Sequence, residues 1–257
     1  MTAYSSNHYR EALDMIGSVQ KYLPHTKIIV YDIGLSTRER GKVAKFCNVE
    51  VRSFDFKKYP PHVKNIKNYA WRPFMIQELA QEYDVILYGD ASLRMTGYDI
   101  SKALKSLLDF PFLDVMPSPW PIIALTHQGQ IDYFNFPPSR QYMAQWKTVQ
   151  ATAWFLLVND LTREKIIAPW VDCVAHEECV APKGARKDPC NFKLIKRNDG
   201  SYVGCHRFIQ SALNIILVRG FGLEIWDKVV RRDIMDPLGT IDRHAQGIYQ
   251  VYSRPRC

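Results

Sequence analysis

The sequence predicts a single α/β domain built on a central, mostly parallel mixed sheet with helices on both faces. Three observations predict it. Through the first half of the chain, short apolar runs alternate with helical stripes. The run from Val85 to Tyr88 is unbroken by polar residues, as in a strand covered on both faces. Asp32 and Gly34 close another apolar run, and Ser36 with Glu39 then opens a helix by the capping-box pattern, so a strand passes directly into a helix.

The elements follow in order. An opening strand is expected to end at Tyr4-Ser5-Ser6-Asn7-His8. Leu13, Ile16 and Leu23, with Val19, give a helical stripe. Lys27 to Tyr31 reads as the next strand, and Val49, Val51 and Phe54 as another. Pro73 stands where a helix would begin, ahead of Phe74, Ile76 and Leu79. Asp99 is expected to cap a helix carrying Ile100, Ala103, Leu104, Leu107 and Leu108. In the second half, Pro117 to Pro121 reads as a proline–tryptophan loop and Ala153 to Val158 as a strand. Phe208 to Val218 is apolar nearly all round, which predicts a buried helix. No repeat, low-complexity tract or linker divides the chain, so one domain over residues 1–257 is expected.

Apolar residues make up 47% of the sequence, enough for a sizeable core and against wholesale disorder. No apolar run is long enough to span a bilayer, and no signal peptide is visible. The chain opens almost at once on its first strand, which suggests an excised catalytic domain with any membrane anchor upstream of Met1. The net charge of +8 favours an anionic partner. The basic residues are scattered and carry no nucleic-acid signature, so a phosphorylated small molecule is expected instead.

Six cysteines are present, and Cys173, Cys179, Cys190 and Cys205 cluster in a stretch rich in proline and glycine. A long loop needs ties, and disulfides supply them in an oxidising compartment. No Cys-x-x-Cys pair supports zinc. The pairs expected are Cys179 with Cys190 and Cys173 with Cys205; Cys47 and Cys257 are unassigned.

In an open α/β sheet, ligands bind beyond the carboxyl ends of the strands. Three such ends carry polar residues: Tyr4 to His8, Asp32, and Tyr88-Gly89-Asp90-Ala91-Ser92. Near the third stand Trp71-Arg72-Pro73, opening the preceding helix, and Arg94 just beyond the acid.

The run YAWRPFMIQELAQEYDVILYGDAS resembles the segment of GT-A glycosyltransferases in which a strand ends in a metal-binding Asp-x-Asp motif. The stretches TAYSSNHYREAL, KIIVYDIGLS, VEVRSFDFKKYPPHV, YGDASLR, CVAP and GCHRFIQSALNIIL resemble an animal family of glycosyltransferase-like proteins expanded in nematodes. Together they cover most of the chain. The resemblance implies a single GT-A (Rossmann-like) domain, with residues 1–116 as the nucleotide-sugar half and 117–257 as the acceptor half. It implies transfer of a sugar from a nucleotide-diphosphate sugar, foremost a UDP-sugar, to a glycan or glycoprotein in the Golgi lumen or a secreted setting. Tyr4, Ser5, Ser6, Asn7 and Asp32 would then hold base and ribose, with Arg72, Ser92 and Arg94 nearer the diphosphate. Asp90 and Gln210 are the catalytic candidates. A divalent metal, Mn²⁺ or Mg²⁺, would sit on Asp90 and His244; His206 and Arg207 are further candidates for a metal or phosphate contact.

Two departures stand out. The acidic motif is Asp90-Ala91-Ser92, and a serine hydroxyl is a poor partner for a hard cation. Ile209 occupies a position where related sequences carry Asp, and isoleucine neither accepts a proton nor stabilises positive charge. A degenerate protein that binds nucleotide or sugar without turnover is the alternative. A dinucleotide-dependent oxidoreductase would need a Gly-x-Gly-x-x-Gly turn, which is absent near Gly34.

Overall fold

The strand β2 (Ile28–Asp32) pairs in parallel with β1 (Thr2–Tyr4) on one side and β3 (Val49–Ser53) on the other. These assignments come from a computed structural model that describes residues 1–97, 99–115, 118–136, 139–197, 200–230, 239–241, 247 and 249–253. A second ladder is antiparallel: β9 (Ala153–Leu157) lies between β4 (Val85–Gly89) and β6 (Phe112–Asp114). Met1 joins the two. Its nitrogen donates to the Leu87 carbonyl and its own carbonyl accepts from Gly89, the pattern of a parallel pair. The spatial order is therefore β3-β2-β1-β4-β9-β6, with β9 alone running against the rest.

Strand alternation divides the core between the two faces of this sheet. Ile28 and Val30 of β2, and Ala153 and Phe155 of β9, belong to one buried cluster; Ile29, Tyr31, Trp154 and Leu156 belong to the other. The first face is covered by α1 (Tyr9–Tyr22), through Ala12, Met15, Ile16 and Val19, and by Val43 of α2 (Thr37–Val43). The capping box expected at Ser36 and Glu39 is formed. The second face is covered by α3 (Trp71–Leu79) and by helices from the second half of the chain.

On the first face, α4 (Ser101–Asp109) departs from the expected stripe. Ala103 and Leu107 are buried, but Leu108 is 80% exposed and Leu104 is exposed too. The Asp99 carboxylate does receive the Ser101 amide. Val85, expected to be buried, is exposed at the start of β4.

The second half is assembled from short pieces. β7 (Ser118–Pro121) pairs with β8 (Lys147–Thr148), and β5 (Leu93–Met95) with β10 (Gly239–Ile241). Between them lie α5 (Gln128–Tyr133) and α6 (Arg140–Met143). Asn159 caps α7 (Asp160–Thr162), which continues through a π turn at Arg163–Ile167 into α8 (Ala168–Ala175). After α9 (Glu177–Val180), α10 (Phe208–Phe221) is buried nearly all round, as its composition predicts, and α11 (Trp226–Val229) follows. Among the described residues, no single helix is long and apolar enough to cross a membrane.

The cysteine pairs differ from those expected. Cys173 bonds Cys179, and Cys190 bonds Cys205. The reason is local. The chain turns at His176 between α8 and α9, bringing Cys173 and Cys179 to a Cα separation of 5.2 Å. The arm 186–191 runs beside 203–206, with Asn191 donating to the Val203 carbonyl and His206 to that of Arg186. That pairing sets Cys190 against Cys205. Cys47 is disulfide-bonded as well, while Cys257 lies outside the described residues. With every described cysteine bonded, thiol titration of unfolded, unreduced protein should detect at most one thiol per chain; several thiols would contradict these pairings.

Candidate functional site

The site is built where β4 ends. Gly89 closes the strand, the Asp90 amide donates to the Thr152 carbonyl at 2.8 Å, and the Leu93 amide donates back to the Asp90 carbonyl at 2.9 Å. This turn projects the Asp90 carboxylate beyond the sheet edge, as expected from the sequence. Two groups hold its Oδ1 oxygen: the Tyr88 hydroxyl donates to it, and Arg72 Nη2 donates from 3.0 Å. Arg72 comes from the first turn of α3, and its Nη1 donates to the Ala151 carbonyl. Its guanidinium also lies over the Tyr88 ring, 4.3 Å from the centroid. Tyr88 in turn stacks on Trp154 at 5.2 Å. Burial, foremost, raises the Tyr88 phenol well above its ordinary pKa, so the hydroxyl stays a proton donor to Asp90.

The pair is unevenly buried. The Arg72 side chain is 5% exposed and that of Asp90 31%. Arg72, expected from the sequence near the diphosphate, lines the cleft but is deeply held. It is locked to strand, loop and acid, and its removal would disturb the fold as well as the site.

Asp90 and Arg72 form one wall of a cleft of about 320 Å³. The opposite wall comes from residues 118–210. It includes Trp120, Lys187 and Phe192 on the disulfide-tied arm, and Arg207 to Gln210 at the start of α10, while the Gln150-Ala151-Thr152 loop adjoins Asp90 and Arg72 through their bonds to Thr152 and Ala151. Among the described residues the lining carries three cations, Arg72, Lys187 and Arg207, and a single carboxylate, Asp90. Trp120 and Phe192 are 41% and 42% exposed, with ring centroids 5.7 Å apart. They form an apolar shelf at the mouth.

Backbone strain gathers at the same place. Four described non-glycine residues have a left-handed φ. Asn48 and Asn135 are of a type that tolerates it, but Tyr69 (φ 61°) and Phe208 (φ 44°) are bulky aromatics. Both line the cleft. Strain of on the order of 1–3 kcal/mol per residue is kept where surrounding structure enforces it, and such residues cluster at functional sites.

The structure sorts the other sequence-predicted residues. Gln210 lines the cleft, with its amide 3.4 Å from the Val149 carbonyl. Ile209 also lines it, yet its burial among core side chains is the ordinary one for the α10 stripe. Ser92 and Arg94 do not reach the cleft. Arg94 is buried beneath α1, its guanidinium bonded to the Ala91 and Leu93 carbonyls and 3.9 Å from Asp14. All three β5 residues are buried, and Arg94 among them lies in the core instead of on the ligand side.

Tyr4 is a core tyrosine, buried in the α1-side cluster with no face available for stacking on a base. Burial raises its phenol above the usual range. Asp32 is spent on its own loop: its carboxylate accepts from the Gly34 and Leu35 amides and pairs with Arg40 at 2.9 Å. Gly34 serves this turn with a φ of 139°, a conformation L side chains rarely adopt. Ser5 donates to Asn7 Oδ1, and Ser6 donates to the Gly34 carbonyl. Ser6 and Asn7 line a separate open groove with Tyr9, Arg10 and Glu39; no residue is shared with the Asp90 cleft.

The described residues do not suit a divalent metal. A hard cation takes several oxygen ligands. Here the cleft offers one carboxylate, and its Oδ1 already accepts from a guanidinium. Among the described residues, no group of three or more His, Cys, Asp or Glu side chains is placed to hold an ion. His244 lies outside the described residues. His206 is a satisfied core histidine: its Nδ1 accepts from the His127 amide and its Nε2 pairs with the Val180 carbonyl.

Lys187, Trp120, Phe192 and Tyr69 were not singled out by the sequence as site residues. The signals were faint: a lysine in the cysteine-rich stretch, a tryptophan between prolines, and a tyrosine opening the run that resembles a donor-site segment.

Residues 1–77 match the family model described as "Protein of unknown function (DUF1647)". No curated protein matches the chain. Among solved structures, the chain is similar to the galactosyltransferase LgtC in complex with donor and acceptor sugar analogues, with 13% identity and a TM-score of 0.45, covering 84% of this chain and 69% of that one. It is similar to mouse xyloside xylosyltransferase 1 in its apo form, with 12% identity and a TM-score of 0.46, over 90% and 82% of the two chains. It is also similar to the apo glycosyltransferase GlyE of Streptococcus pneumoniae TIGR4, with 12% identity and a TM-score of 0.42, over 90% of this chain and 44% of that one.

Burial lowers the His206 pKa from 6.5 to about 3. Between those values the unfolded chain binds a proton that the folded chain refuses, so stability falls as pH drops from 6.5 toward 3. The slope is at most about 1.4 kcal/mol per pH unit. In urea titrations across that window, His206→Gln should show a shallower pH dependence than wild type; equal slopes would mean that His206 is not buried neutral.

Proposed function

We propose that this chain is a glycosyltransferase-like protein whose Asp90 cleft receives a nucleotide-diphosphate sugar, foremost a UDP-sugar. One observation carries the reading: at the carboxyl edge of the central strands, a single oriented carboxylate faces a cleft with a cationic excess. A departing diphosphate concentrates negative charge, and fixed cations in a shielded cleft stabilise it. Asp90 has one oxygen tied down by Arg72 and Tyr88 and the other available to sugar hydroxyls. On this reading the donor is held between residues of 1–116 and the start of α10. The acceptor, a glycan or glycoprotein, approaches from the 117–257 side over Trp120 and Phe192, whose exposed faces suit the apolar face of a pyranose. The disulfides support an oxidising compartment, in keeping with the secretory pathway.

A second reading is favoured by a specific feature. Among the described residues no acid besides Asp90 lines the cleft, and Ile209 fills the wall where the resemblance implies one. The protein would then bind a nucleotide-sugar without turning it over. Release of nucleoside diphosphate from a bound donor separates the two readings.

A thermal-shift screen of nucleoside diphosphates and their sugars tests the shared claim, followed by titration of the best ligand. Asp90→Asn should weaken the nucleotide-sugar by about tenfold or more, the worth of a charge-assisted hydrogen bond. The same variant should bind the sugar-free nucleoside diphosphate as well as wild type or better, because the cleft has lost its one negative charge. If no nucleotide raises the melting temperature, or if Asp90→Asn leaves nucleotide-sugar affinity unchanged, the reading fails.

A further inference from the structure

The cleft contains two cations that the proposed reading does not individually employ. Lys187 is exposed on the arm 186–191, and its Nζ donates to the Tyr69 hydroxyl across the cleft at 2.8 Å. Arg207 caps the start of α10, and its Nη2 lies 3.9 Å from Cys190 Sγ. The Lys187 carbonyl lies 3.7 Å from the same sulfur. The Arg207 guanidinium and the Lys187 backbone therefore abut one disulfide, which ties the two chain segments together at Cys190 and Cys205. Neither side chain has an acidic partner within 4.0 Å among the described residues. Arg72 adds a third positive charge, and its buried Nε has no hydrogen-bond partner.

Holding like charges in one cleft is unfavourable unless an anion joins them. Metal is a weak candidate for neutralising a diphosphate here, because the described donors suit it poorly. We propose that Lys187 and Arg207, fixed by the Cys190–Cys205 disulfide, form a diphosphate-binding pair that takes the charge of the ligand directly. The proposal rests on the reading that the Asp90 cleft is the donor site, and it names the groups that meet the diphosphate. The nearly invariant feature of such a ligand would be its two linked phosphates, so both inorganic pyrophosphate and UDP serve as probes.

The experiment is calorimetric titration of wild type, Lys187→Met, Arg207→Met and Lys183→Met with UDP and with pyrophosphate, in EDTA and at two salt concentrations. Lys183 is exposed on the same stretch but does not line the cleft, so it controls for general basicity. Each of Lys187→Met and Arg207→Met should weaken both probes by about tenfold or more, with a smaller salt dependence than wild type. Lys183→Met should stay within about twofold, as expected for a screened surface charge. Since Lys187 is exposed, its variant reports on binding even if Arg207→Met folds poorly. Unchanged UDP affinity in Lys187→Met overturns the pair and leaves the donor-site reading standing. UDP binding that vanishes in EDTA also overturns the pair alone. Pyrophosphate binding that depends on both cations, without any gain from the nucleoside, keeps the pair and sinks the nucleotide-sugar reading. No binding of either probe overturns both.

Discussion

The contact between Arg72 and Asp90 organises the site and much of the fold around it. A guanidinium this deeply buried must be partnered, since the cost of taking a charge out of water is several kcal/mol. Its partners come from two separate places: the Tyr88 ring and the acid at the end of β4, and the Ala151 carbonyl before β9. Satisfying Arg72 therefore fixes the start of α3 relative to two neighbouring strands. It also fixes the acid, because the same oxygen of Asp90 receives both Arg72 and the Tyr88 hydroxyl. The positively strained Tyr69 lies three residues before Arg72, so the helix is entered through an unfavourable backbone state that this network sustains.

The opposite wall solves a different problem. It is made of short helices and irregular backbone, with few regular hydrogen bonds to hold it. The two disulfides and the pairing of 186–191 with 203–206 supply that order. The result joins a rigid sheet edge to a covalently tied arm, with α10 entering between them. Ligand charge would meet side chains from both. The charges divide the same way: on the sheet side Arg72 is balanced by Asp90, and the cationic excess comes from Lys187 and Arg207 on the tied side.

Much of the sheet could be read in the sequence because its strands are short, apolar and punctuated by polar ends. β2, β3, β4 and β9 fall close to where periodicity predicts them, and Asp90 stands where a strand-end acid should. Sequence proximity misled where side-chain direction mattered. Arg94 follows Asp90 closely but points into the core toward Asp14, a partner that only the packing of α1 brings near. Asp32 and Tyr4 were at correct strand ends, yet their side chains are taken up by a loop and by the core. The cysteine pairs were misassigned because the stretch that read as one loop contains α9 and a turn at His176. Lys187, Trp120 and Phe192 escaped notice because nothing local relates them; they meet only across the cleft.

The account stands on the Arg72–Asp90 contact acting as a unit, and a double-mutant cycle measures that most directly. Unfolding free energies of wild type, Arg72→Met, Asp90→Asn and the double variant would give the coupling between the two side chains. The account predicts a coupling of about 1–3 kcal/mol, within the range of contacting charged residues in one network. It also predicts that Arg72→Met loses nucleotide-sugar affinity together with stability, since the acid is no longer held. Additive effects, with a coupling no larger than about 0.5 kcal/mol, would contradict it.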